Sequence, residues 1–418
     1  MTGRRARIIS VGDELLCGRT VDTNAHDTQK RLLSRGVPVD GVNVVLDTSA
    51  AIAAALDATP EGSLVIITGG LGPTPDDLTV DAFADWSGLG LKRSPSVTMH
   101  LKTLAADRGF PYGPHMDKQT RVPDDFTAVI NPAGTAPGLV GEARGRVLVL
   151  LPGVPSEVEA LWPGIEADLE ARSVFGPPVF SVLRRTSGLS EPALTGLTEP
   201  VRALWPDLTW SWWLTRWGVD VQASAAPGAT IPEGLAQALD EVLGTRVYAD
   251  QFVELNQVVQ DLLKARGSTI AVAESCTGGL LGAALTDLPG SSAVFCGGVL
   301  AYQNEIKERL LGVPGATLAV QGAVSSETAE AMAEGARRLV GADYALAVTG
   351  IAGPDGGTDT KPVGTTWLAL AGPRGVWSHC ERFRSHRARN RRLTVARALD
   401  ALRRHLQTDR DPWIGDGS

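Results

Sequence analysis

The stretch SLVIITGG, Ser63–Gly70, is apolar at every position from Leu64 to Ile67 and ends on two glycines. A half-exposed strand alternates apolar with polar residues, because successive side chains point to opposite faces; a run without alternation predicts a strand covered on both. A parallel sheet sandwiched between helices meets that requirement, and the glycines mark a strand end where such sheets bind ligands. ARIISVG (Ala6–Gly12) is another β-branched run closed by glycine, and NAHDTQKRLLSRG (Asn24–Gly36) has helical spacing with a glycine stop. RVLVLLPGVPSEVEALW repeats strand, glycine loop and helix in one stretch. This order predicts a doubly wound α/β domain over residues 1–170.

At 418 residues the chain can hold two or three domains, each with its own core. Hydrophobic residues at 43% and charged ones at 21% are ordinary for a globular protein. A net charge of −8 and a pI near 5.4 give no global reason to bind nucleic acid or an anionic membrane. No run approaches the ~20 apolar residues of a membrane span. The basic start MTGRRARIIS passes into a strand and the polar GDE without an apolar leader core. Cys17, Cys276, Cys296 and Cys380 are too few and scattered for a disulfide framework and include no C-x-x-C pair, so the chain is expected to be cytoplasmic.

From about Val179 to Tyr248 the texture changes. VFSVLRRTSG and TWSWWLTRWGVDVQASAA read as strands and IPEGLAQALDEVLG as a helix, a small α+β domain over residues 171–250. Five of the ten tryptophans lie between Trp205 and Trp217. Alternation of Trp210, Trp212 and Leu214 on one strand face lets them fill a small core or a domain contact; stacking on nucleobases is the alternative. FVELNQVVQDLLKARG then places Phe252, Leu255, Val258, Val259, Leu262 and Leu263 on one helical face. With the strands TIAVA, VFCGGVLAY, YALAVTG and GTTWLALAG and a last helix from about Asn390 to Leu406, it predicts a further α/β domain over residues 251–410.

In that third domain AESCTGG sets Ser275 where TIAVA turns into TGGLLGAALTD. Backbone N–H groups and the helix dipole there favour an anion, whether a substrate phosphate or a developing oxyanion, although a serine at such a turn serves equally as an N-cap. Cys276 beside it is intrinsically the better nucleophile, and only one of the two neighbours can point into a pocket. GGVLAYQNEIKERLLGV carries Tyr302 at a strand end and Lys307 five residues on, near the start of a helix. A lysine there also reads as solvated and paired with Glu305 or Glu308. AVTGIAGPDGGTDTKPVGT leaves a strand into a loop too rich in glycine to be packing filler.

Together AESCTGG, GGVLAYQNEIK and VTGIAGPDGG with KPVGT resemble the C-terminal domain of the CinA family of competence/damage-inducible proteins, whose enzymatic members are nicotinamide-nucleotide amidases. The resemblance implies that Ser275 attacks the carboxamide of nicotinamide mononucleotide, releasing ammonia and, after hydrolysis of an acyl-enzyme, nicotinate mononucleotide. It also implies that Cys276 is buried and inert and that this domain requires no cofactor. None of the six histidines lies in these motifs, which leaves Lys307 as the base, with Tyr302 and Thr349 as relay or orienting groups. For that role a lysine pKa of about 10.4 must fall by several units, through desolvation or a nearby positive charge. By the same resemblance Thr277, Gly278, Gly279, Gly350 and Gly353 bind substrate, the glycines by letting backbone amides approach the nucleotide phosphate. RFRSHRARNRR resembles the family's Phe and Arg-x-x-x-Arg stretch, which maps onto Arg387 and Arg391, with Ser385 and His386 where members usually carry Gly-Asp. Read without the family, that run is a solvated helix face.

SVGDELLCGRTVDTNA, TGGLGPTPDDLT, NPAGTAPG and LPGVPSEVEAL are similar to the family's other half, a MoaB/MogA-like domain related to molybdopterin-binding proteins, and the middle domain would be its small KH-like module. Asp13, Glu14, Asp76 and Asp77 are hard oxygen donors on two glycine-punctuated loops at predicted strand ends, which can hold Mg²⁺ or a similar divalent ion against a diphosphate. Turn and N-cap chemistry explains any one of these motifs alone. In the family this domain is associated with ADP-ribose pyrophosphatase activity, yielding AMP and ribose 5-phosphate, with Asn24, Thr68 and Glu157 as further binders here. The expectation is a bifunctional enzyme of pyridine-nucleotide salvage and, by resemblance, a homodimer, with neither membrane association nor direct nucleic-acid binding. The alternatives are a non-enzymatic partner in DNA uptake or recombination and a molybdopterin-binding N-terminal domain.

Overall fold

A computed structural model of the chain describes residues 4–109 and 111–413, so the first residues of the basic start lie outside it. Packing divides the chain into two compact units: one runs to Phe180 and adds Ala225–Thr230, the other takes Ser181–Ser224 and the chain from Ile231 on. Among the described residues no helix is long and apolar enough to cross a membrane.

The first unit is a mixed sheet covered on both faces. Its strands are β1 (Ala6–Val11), β2 (Val39–Val45), β3 (Leu64–Thr68), the short ribbon β4 (Leu91–Arg93) and β5 (Arg121–Pro123), β6 (Thr127–Val129), β7 (Gly138–Ala143) and β8 (Arg146–Leu151). The six-stranded order is β2-β1-β3-β8-β7-β6, parallel from β2 to β8 and antiparallel at β7 and β6. As the unbroken apolar run requires, all five positions of β3 are buried. Alternate side chains feed two cores. Ile8, Ile66 and Val149 pack with the helices Thr23–Ser34 and Pro155–Ala171, while Ile9, Ile67 and Leu150 pack with Ser49–Asp57 and Thr79–Ser87. The predicted doubly wound α/β arrangement is what forms.

The second unit holds two sheets. The smaller, order β10-β11-β9-β12, is antiparallel and made from β9 (Ser181–Thr186), β10 (Thr209–Leu214), β11 (Val219–Ser224) and β12 (Val247–Ala249). Its core takes Leu194 and Val201 from the helix Glu191–Leu204 and Leu235, Leu239 and Leu243 from Leu235–Leu243. Trp210 and Trp212 stack at 6.3 Å against that core. Leu214, which alternation groups with them, is instead exposed, because it is the last residue of an edge strand.

The larger sheet, β14-β13-β15-β16-β17, is built from β13 (Ile270–Glu274), β14 (Phe295–Leu300), β15 (Tyr344–Gly350), β16 (Thr365–Gly372) and β17 (Gly375–Arg382). β14, β13 and β15 are parallel, and β16 and β17 return antiparallel. Three elements differ from the sequence expectation. β17 carries no apolar signature because its positions are only half-buried. The helix expected from Phe252 begins at Leu255, leaving Phe252 exposed outside the packed face. The last helix spans Arg387–Thr408, which brings Arg387 onto its first turn.

This sheet has two unlike faces. Val272, Leu346, Val348, Leu368 and Leu370 face the helices Leu255–Arg266, Leu280–Thr286 and Arg387–Thr408, while Ala271, Ala273, Ala345, Ala347, Ala369 and Ala371 face the helix Ser326–Val340. The alanines are paired across three strands, Ala271 with Ala345 and Ala345 with Ala371, so the face is uniformly shallow. On Ser326–Val340, Gly335 meets the end of the helix Asn304–Leu311, where a methyl group would overlap the Leu311 carbonyl oxygen. Gly335→Ala should therefore cost about 1–3 kcal/mol as overpacking, read as a lower urea midpoint at unchanged slope.

Candidate active site

β13 ends in Glu274, and the chain turns at once. The Ser275 amide donates to the Val348 carbonyl at 3.0 Å, fixing the serine to the end of the sheet, with 9% of its surface exposed. After β14 the Ala301 amide donates to the Glu274 carbonyl at 2.8 Å, aiming the helix Asn304–Leu311 at the same point. On its first turn Lys307 is 1% exposed, and its Nζ lies 2.8 Å from the Ala301 carbonyl, 3.2 Å from that of Tyr302 and 3.4 Å from Ser275 Oγ. The solvated-lysine reading is thus corrected: among the described residues Lys307 forms no ion pair with Glu305 or Glu308. Burial pushes its ammonium below the 10.5 of an ordinary lysine, an effect that Cys276 and Glu305 offset only in part.

A cavity of about 210 Å³ opens between Ser275, Lys307, Tyr302, Thr349, Gly350 and Arg387. Cys276 borders it but is buried, and that burial pushes its thiol up to about 12. Tyr302 contributes a backbone carbonyl to Lys307, whereas its exposed phenol accepts from Arg387 Nη2 at 3.2 Å. Thr349 donates its hydroxyl proton to the Ala323 carbonyl at 2.7 Å, which leaves its oxygen able to accept. Arg387 Nη1 donates to the Gly353 carbonyl at 2.8 Å and Arg391 to that of Thr277, so both arginines hold loop backbone. Neither is part of a merely solvated helix face.

Of the substrate candidates in the turn, Thr277 is fully buried, the Gly278 amide donates to the Ser275 carbonyl at 3.2 Å, and the Gly279 amide donates to the Glu274 carboxylate at 2.9 Å. Glu274 was missed by sequence reasoning. The available signal was an acidic residue at the end of an otherwise apolar strand, next to glycine-rich backbone with amides to satisfy.

In the first unit the carboxylate candidates stay close to their own loops. Asp13 and Asp47 exchange backbone-to-carboxylate hydrogen bonds at 2.9 and 3.2 Å. Asp76 and Asp77 both accept from the Thr74 hydroxyl, which holds the Asp76 carboxyl below its ordinary range. Asp47, also unnoticed in the sequence, is pushed up by burial and then by the like charges of Asp13, Glu14 and Asp76. Among the described residues no three Asp, Glu, His or Cys side chains converge as a metal would require, so these groups as placed do not fit a divalent ion. Asn24 donates to the Gly153 carbonyl at 2.7 Å, Thr68 is buried at the end of β3, and Glu157 accepts from Asn131 at 2.7 Å while burial pushes its carboxyl up.

Comparison with known proteins places these sites in two matched regions. Residues 253–406 match the family model described as "CinA C-terminal domain", and residues 7–169 match "Probable molybdopterin binding domain". A CinA-like protein of Synechocystis is 38% identical over 96% of this chain and 99% of its own length, and one of Synechococcus elongatus is 40% identical over 96% and 97%. Among solved structures, the competence/damage inducible protein CihA of Agrobacterium tumefaciens is 43% identical over 37% of this chain and 94% of its own, with a TM-score of 0.36.

The thiols give a direct check on the geometry. Iodoacetamide at neutral pH should label the exposed Cys17 and Cys296 in the native protein and leave Cys276 largely unlabelled, as burial withholds its thiolate, until the chain is denatured. Peptide mass spectrometry reads this, and rapid native labelling of Cys276 would contradict the buried placement.

Proposed function

The chain belongs to the CinA family, and from that membership we propose that its C-terminal unit hydrolyses the carboxamide of nicotinamide mononucleotide, with Ser275 as nucleophile and Lys307 as base. The observation that carries this reading is a desolvated lysine amine 3.4 Å from a serine hydroxyl at the wall of a cavity. A neutral amine has two N–H donors and one lone pair. With both N–H groups engaged by the Ala301 and Tyr302 carbonyls, the lone pair is left for the Ser275 proton.

Ser275 Oγ then attacks the carboxamide carbon while its proton passes to Lys307 Nζ. Collapse of the tetrahedral intermediate breaks the C–N bond, and the proton on Lys307 goes to the leaving nitrogen, releasing ammonia and leaving an ester on Ser275. Water repeats the cycle: it gives its proton to Lys307, its oxygen adds to the ester carbon, and the proton returns to Oγ as nicotinate mononucleotide departs. Arg387, its guanidinium at the cavity wall, is suited to the anionic part of the substrate.

For the N-terminal unit the corresponding proposal is cleavage of the ADP-ribose diphosphate to AMP and ribose 5-phosphate. Its support is family membership and the gathering of the Asp13, Glu14 and Asp76 carboxylates around Asp47. Formation of AMP from ADP-ribose by the whole chain, and its loss in Asp13→Asn, is the expected result; tight pterin binding without AMP formation would replace this half of the reading.

The amidase half is tested by ammonia release from nicotinamide mononucleotide. Wild type and Cys276→Ala should release it with or without EDTA, while Ser275→Ala loses about 10⁴-fold or more in kcat and Lys307→Met about 100-fold or more. Because the neutral amine is the competent form, kcat/KM should rise with pH through a midpoint below 10.5. Full activity in Ser275→Ala, or a rate that falls with rising pH across that midpoint, would overturn the assignment.

A further inference from the structure

Glu274 has no part in the proton transfers above, yet it is 1% exposed and directly precedes the nucleophile. A buried carboxylate persists only when its oxygens are fully hydrogen-bonded. Here they accept from Gly279 N at 2.9 Å, Leu281 N at 3.0 Å and Gly282 N at 2.8 Å. Those are donors at the start of the helix Leu280–Thr286, so the carboxylate takes the Gly279 amide that was expected to meet a substrate phosphate.

Accounting for every amide in this stretch leads further. Ser275 N donates to Val348, Gly278 N to Ser275, Leu280 N to Thr277 and Ala283 N to Gly279, and Glu274 takes the other three. Among the described residues, Cys276 and Thr277 alone between Ser275 and Ala283 donate their amides to no other residue. They immediately follow the serine, and Cys276 borders the same cavity. Two adjacent backbone donors beside a nucleophile are what stabilises an oxygen that becomes negative when a carbonyl is attacked.

We infer that Glu274 is a positioning residue: by tying the turn to the following helix through three amides, it holds the Cys276 and Thr277 amides toward the carbonyl oxygen of the amide under attack. The inference rests on the amidase reading of Ser275. During attack the carbonyl π electrons move to that oxygen, and the two N–H groups receive the charge while Lys307 holds the proton. A donor that acts on the transition state more than on bound substrate appears in kcat and hardly in KM.

The test compares full-length wild type, Glu274→Gln and Glu274→Asp for kcat and KM of ammonia release, pH profile and thermal midpoint. The glutamine is isosteric but replaces one acceptor oxygen by a donor, so at least one amide loses its partner. Its kcat should fall by about 10- to 100-fold, with KM changed by less than about threefold and the pH midpoint retained, since Lys307 is untouched. Glu274→Asp keeps the charge on a shorter arm, should recover part of the loss, and serves as the deciding variant if the glutamine chain does not fold. Wild-type kcat in the glutamine variant, a loss confined to KM, or a lower thermal midpoint with unchanged kcat in either variant would overturn the inference and leave Glu274 a structural cap. Absence of ammonia release by wild type would instead remove the amidase reading on which it stands.

Discussion

Taking the Lys307 amine out of water is the constraint around which the C-terminal unit is arranged. A lysine with 1% of its surface exposed cannot remain an ordinary ammonium without cost, so the fold must either supply acceptors or favour the neutral form. It does some of each. Two backbone carbonyls accept from Nζ, and burial lowers the affinity for a third proton. Both carbonyls lie in the short link between β14 and the lysine's own helix, so the chain that delivers the lysine also holds it. The contact of Lys307 with Ser275 then depends on helix placement.

That placement goes back to the unlike faces of the sheet. Alanines on β13, β15 and β16 let the helix Ser326–Val340 lie on a shallow surface, and the helix Asn304–Leu311 packs on it where Gly335 leaves room for a carbonyl. Larger side chains on that face would lift both helices, and a shift of an ångström at the lysine is enough to lose the serine contact. Sheet packing and the Lys307–Ser275 contact are therefore linked through side-chain volume rather than through any residue in the cavity.

Features with strong local signals were legible in the sequence. Continuous apolar runs located the buried strands, and the motifs around Ser275, Lys307 and Thr349 named groups that the fold brings to one cavity. What escaped detection has a common cause, since β17, the exposure of Leu214 and the start of the helix at Leu255 depend on what packs beside them, which no local pattern encodes. The acidic motifs of the first unit illustrate another limit. Short Asp side chains at glycine turns are readily satisfied by the nearest hydroxyl or amide, and Asp76 and Asp77 do this with Thr74, whereas the long side chain of Lys307 reaches across elements.

The placement of Ser275 beside Lys307 follows from strand parity. Along β13 the odd positions Ala271 and Ala273 face the helix Ser326–Val340, and the even position Val272 faces the core on the other side. Continuing that period by one residue puts Ser275 on the face where the helix of Lys307 packs, and sends Glu274 toward the helix Leu280–Thr286. The hydrogen bonds of Glu274 to that helix agree with this assignment. Alternation of alanine with larger residues in TIAVAES thus carries the information on which face Ser275 meets Lys307. The intrinsically better nucleophile is the one whose burial disfavours its thiolate, whereas a desolvated amine faces the weaker hydroxyl.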